Sequence, residues 1–228
     1  MNIKKAIIFL LAAISYTILL KIGVLIFPNI FTSIYLTQID LVFLVFAGLS
    51  LIVFGLYFIK EAIGKNHVKL KTSVYLAMIG PVFFMFKHIS DIIRLSDRLS
   101  LKLYELSPFL QQFILSYNFK PLYQIVALLS SFLYFYFFYV LYKNLNTENQ
   151  DLKNTNFILL IALGLTLIFE AFSFVIFFIF PNSSLIQDRP KFVIIIGFLI
   201  FLFKSLVLIS FFWKLYQVKD YSRILKIE

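Results

Sequence analysis

The sequence predicts an all-α integral membrane protein, a six-transmembrane-helix bundle with an amphipathic helical extracytoplasmic segment between the third and fourth spans. Three observations predict it. Of the 228 residues, 61% are hydrophobic and 14% charged, too apolar for a soluble domain, which is roughly half apolar and a quarter charged. Six apolar stretches approach the roughly 20 helical residues that a hydrocarbon core about 30 Å thick requires. Lysines gather at the ends of those stretches, where positive-inside topology places them.

The first span covers residues 6–27. Lys4 and Lys5 ahead of an apolar run look like a signal peptide. The run continues beyond signal-peptide length, however, and Ala12-Ala13 lies inside it, followed by Ile14, so no small-x-small site closes it and a retained span is expected. The second span covers 41–60. The third, 72–88, is the shortest, and Gly80-Pro81 predicts a kink because proline removes a backbone donor.

Residues 89–119 form the outer segment. Ile89, Ile92, Ile93, Ser96 and Leu99 share one helical face, while Asp91, Arg94, Asp97, Arg98, Lys102 and Glu105 share the other. Ser107-Pro108 then reads as an N-cap and first-turn proline opening a second, shorter helix. Such a segment lies on the membrane surface or folds over the mouth of the bundle.

The fourth span, 122–142, is crowded with Tyr134, Tyr136, Tyr139 and Tyr142. The Asn-rich stretch after it reads as a short polar turn. Spans five and six cover 157–180 and 192–213. The tetrapeptide IFPN occurs at Ile26–Asn29 and at Ile179–Asn182. Both copies fall where an outward-running helix ends, and an interfacial aromatic, a helix-stopping proline and a turn-forming asparagine account for the residues without a functional motif.

With the N-terminus inside, the cytoplasmic segments carry Lys4, Lys5, Lys60, Lys69, Lys143 and Lys214 among others, whereas the first outer loop carries no Lys or Arg. Both termini are therefore expected in the cytoplasm. A Lys- and Ile-rich, Arg-poor composition fits an AT-rich bacterial genome and hence a bacterial inner membrane. The net charge of +10 forms no compact patch with interleaved exposed aromatics, so nucleic acid is not expected as a partner. The lipid bilayer is, with a membrane-protein partner or a second copy of the chain as further possibilities.

With no cysteines and two distant histidines, His67 and His88, neither a metal site nor a thiolate nucleophile is expected. Gly-rich nucleotide loops, His-Glu-x-x-His and Gly-x-Ser-x-Gly are missing from the sequence. No cofactor and no catalytic residue are assigned.

Glu170 is the most informative residue. It lies near mid-bilayer in span five, and Lys204 reaches similar depth in span six, so the two can pair. A lone charge there costs of order 3 kcal/mol and needs a partner or a wet cavity. Thr166, Glu170 and Ser173 fall at helical spacing on one face, with Ser205 beside Lys204. These five residues are the candidate intramembrane polar site, and a bridge that only fixes helix packing is the plainer reading of them. Lys21, nearer the outer end of span one, is expected to snorkel to the interface. His88, Asp91 and Arg94 form a candidate outer-surface site, since His88 and Asp91 are three residues apart on a helix. The expected role is a non-enzymatic membrane protein, either a small carrier or an accessory, sensory or regulatory subunit. The alternative is a membrane-embedded enzyme acting on a lipid-linked substrate at the outer leaflet.

Overall fold

A computed structural model describes residues 2–26, 34–63, 67–98, 119–179 and 191–225. Six long helices account for nearly all of them: α1 (Ile3–Ile26), α2 (Ile34–Phe58), α3 (Val68–Arg98), α4 (Phe119–Asn144), α5 (Gln150–Ile179) and α6 (Lys191–Gln217). Each contains a stretch long and apolar enough to cross a membrane. The chain is thus built as a multi-pass membrane protein, since in lipid a helix satisfies every backbone group within itself.

Each helix packs on the next in chain order, and α1 closes the circle on α6. The fold is a six-membered ring. Its outer surface carries large apolar side chains such as Phe9, Leu19, Phe46, Ile168 and Phe172, which suits contact with acyl chains and not with water.

One end of each of the six helices gathers where both ends of the described chain meet. Here α2 runs into a π-helical turn, Ile59–Ile63, whose Glu61 carboxylate accepts a hydrogen bond from the Ile3 amide at 3.1 Å. The α4–α5 connection is tighter than its composition suggests. Asn146 caps a 3-10 turn, Thr147–Asn149, and α5 starts immediately at Gln150. Asparagine-rich sequence marks a polar helix start as readily as a loop, because the same side chain that bends a turn also caps a helix.

The C-terminal segment crosses this end as a strap. Leu225 forms an antiparallel bridge with Leu145, the Asn146 amide donates to the Ile224 carbonyl at 2.8 Å, and Tyr221, Ile224 and Leu225 are buried. Around the rim, Lys4 lies 5.6 Å over the Tyr216 ring and Lys143 lies 4.6 Å over the Tyr139 ring, while the rings of Trp213 and Tyr216 stack at 5.8 Å. Cationic and amphipathic aromatic side chains thus meet at one level, as at a membrane interface.

Helix α3 runs unbroken through Pro81 to Arg98, so the polar continuation of the third span is helical that far. Residues 99–118, including Ser107-Pro108, lie outside the described residues, as do Phe27–Asn29 and Phe180–Asn182 of the two IFPN copies.

Candidate functional site

The buried core is concentrated at the end that carries the chain termini. Aromatic rings plug it: Phe54 meets Phe212 edge-on at 5.0 Å, Phe138 meets Phe211 at 5.4 Å and Phe58 meets Phe137 at 6.3 Å. Edge-to-face pairs of this kind fill space without leaving polar atoms unsatisfied. Beyond the plug lies a cavity of about 330 Å³, to whose wall every one of the six helices contributes. A volume of that size falls in the roughly 300–1,000 Å³ range of small-ligand sites.

Small residues make the space. Ala47, Gly48 and Gly55 on α2 and Ala77 on α3 lie on the wall, and the two glycines, seven residues apart, receive Met85 and Met78 so closely that a Cβ at either would stand within 3 Å of a methionine side-chain atom. Three polar side chains interrupt the apolar lining: Lys204, Tyr134 and His88. Lys204 stands two helical turns, about 12 Å, above Phe212 of the plug. His88 stands toward the opposite end of the cavity, four turns of α3 from Val74. The sequence assigns Lys204 and His88 to separate candidate sites; the fold lines one cavity with both.

Glu170 is not part of that lining. Its carboxylate is hydrogen-bonded by the Ser131 hydroxyl of α4 and lies in the field of the Lys204 ammonium, while its second oxygen, Oε2, is buried without a hydrogen-bond partner. Thr166 is buried one turn earlier and donates to the Ala162 carbonyl at 2.9 Å. Ser205 is buried beside Lys204, and Ser173 is half-buried. Lys21 also acts on Lys204. Its Nζ lies 4.7 Å over the Phe201 ring of α6, so the side chain turns to the neighbouring helix. The Cα–Cβ bond of a helical residue tilts toward the helix N-terminus, which at this position leads back along α1 toward Ile3.

Asp91 and Arg94 continue on α3, and their side chains lie outside the described residues. Among the described residues no group of three or more metal-ligating side chains comes together.

Two polar contacts between helices carry little sequence signal. Ser131 is one hydroxyl among several at similar depth. Asn156, fully buried, donates its side-chain amide across to the Phe138 carbonyl of α4 at 3.0 Å, yet sits in the polar stretch that reads as the start of a span. The cavity itself has a visible trace, the Gly48/Gly55 spacing together with Ala77 and Gly80, which marks faces where two helices approach closely. Comparison with protein-family models, with curated proteins and with solved structures finds no match for this chain.

Proposed function

We propose that this protein is a non-enzymatic membrane protein, a small carrier or a sensory or regulatory subunit, that holds a ligand inside its six-helix ring, with Glu170 and Lys204 forming a charged layer at mid-membrane depth. One observation carries the reading: a lysine stands on the wall of a cavity that all six helices line. Ionisable side chains within spans are costly and tend to mark binding or coupling sites. The clustering of Lys4, Lys60, Lys69, Lys143 and Lys214 at the end that carries the termini supports an orientation with both termini in the cytoplasm, and the Lys- and Ile-rich, Arg-poor composition supports a bacterial inner membrane.

The test is thermal stabilisation of the purified protein by a library of small amphiphiles and metabolites, compared with Ala47→Phe, which fills the cavity. Stabilisation of the wild type by a subset of compounds, absent in Ala47→Phe, is the expected result. If no compound stabilises either protein, the reading fails. Reporter fusions at the two ends check the orientation, and signals from opposite sides would refute it.

The second reading, an enzyme acting on a lipid-linked substrate at the outer leaflet, draws support from His88 on the cavity wall. It requires His88→Ala to abolish turnover at normal expression.

A further inference from the structure

We propose that the cavity takes a single-chain amphiphile with an anionic head, the head at Lys204 and the chain running down onto the aromatic plug. The inference rests on the reading of this cavity as a ligand site and names the ligand's class.

The chain is indicated by the wall below Lys204. Leu208 and Phe212 on α6, Leu51 and Phe54 on α2, and Phe137 and Phe138 on α4 leave a lining without charge for the two turns between Lys204 and the plug. A slot lined by residues of all six helices and holding about 330 Å³ suits one apolar chain.

The anionic head is indicated by the placing of charges. Lys204 faces the cavity, and its protein counter-charge does not, because the Glu170 carboxylate is drawn to Ser131 on α4. A second cation, Lys21, acts on Lys204 from α1. Two lysines and one carboxylate thus share this part of the bundle, with only Lys204 on the cavity wall, and low dielectric strengthens the attraction between an ammonium there and an anion. A cationic head would be repelled. A neutral one would leave Lys204 without a partner on the cavity side. Carboxylate and phosphate heads share the required chemistry.

The experiment uses the full-length protein in nanodiscs of zwitterionic lipid and four probes that differ only in the head group: dodecanoate, dodecyl phosphate, dodecanol and dodecyltrimethylammonium. Binding is read as saturable thermal stabilisation beyond that of the nanodisc alone. Dodecanoate, dodecyl phosphate or both are expected to bind at least about tenfold more tightly than the neutral and cationic probes. Whichever binds more tightly separates a fatty-acid-like ligand from a phosphate-headed lipid. Lys204→Met should erase the preference while Lys204→Arg keeps it, and Glu170→Gln should leave anion binding intact or stronger. Because the head-group comparison is made on the wild type, the outcome does not depend on Lys204→Met folding. If dodecanol binds as tightly as the anions and Ala47→Phe blocks both, the ligand site stands and the anionic assignment falls. If no probe saturates, the amphiphile assignment falls, and the compound library decides separately whether the ligand site stands.

Discussion

Lys204 lines the central cavity, whereas Glu170, the carboxylate whose charge it feels, is turned out of the lining toward Ser131 of the neighbouring helix. An opposite pair within a membrane can serve packing, ligand binding or both. With the cation on the cavity wall and the anion outside the lining, the carboxylate acts on the lysine's charge without occupying the cavity side. A double-mutant cycle measures the packing share. Glu170→Ala and Lys204→Met should each destabilise the protein, and the double variant should lose less than the sum, with a coupling of about 0.5–2 kcal/mol. Reversible unfolding of the four proteins in mixed micelles checks this, and additive losses would show that the two charges do not interact.

At Gly80, α3 approaches α4 closely. A Cβ built there would stand 2.6 Å from the Ser130 Oγ and 2.8 Å from its Cβ. Gly80→Ala should therefore destabilise by roughly 1–3 kcal/mol through overpacking. Ser130→Ala should fail to rescue it, because the Cβ remains, and Ser130→Gly should restore much of the loss. Thermal melts of the three combinations decide, with equal rescue by both serine variants as the contrary outcome.

The C-terminal strap is held by burial as well as by backbone pairing. Ile224 is 0% exposed and Leu225 is 2% exposed. Ile224→Ala should cost about 2–5 kcal/mol, the range for deleting a buried aliphatic side chain. A midpoint unchanged from the wild type would mean that the strap adds nothing to the stability of the ring.

Burial, with the Glu61 carboxylate and Tyr216 nearby, pushes the Tyr221 hydroxyl from its ordinary 10.0 up to about 12. The unfolded chain then loses this proton first as the pH rises. The contribution is whole below pH 10 and is lost between pH 10 and about 12. Tyr221→Phe should flatten that part of the stability profile. It should also cost little at neutral pH, since the hydroxyl is buried without a hydrogen-bond partner. Melting midpoints of both proteins across this alkaline range test it, and parallel profiles would count against the assignment.

Much of this molecule is legible in its composition. Six apolar runs become six helices because a bilayer leaves the backbone no other way to satisfy its polar groups, and that constraint acts within each run separately. The depth of Glu170 and of Lys204 can likewise be counted in residues along a helix of known rise. Rotation about the helix axis cannot be counted in the same way. Apart from α3, these helices are apolar on every side, so the pattern does not distinguish a lipid-facing side from one that faces the ring. For that reason Ser131 as the partner of Glu170, His88 and Lys204 on one wall, the phenylalanine plug and the strap from Tyr221 to Leu225 emerge only when the helices pack. Crossing the membrane is a property of single segments. The cavity belongs to the ring, because it depends on which side of each helix the other five leave facing inward.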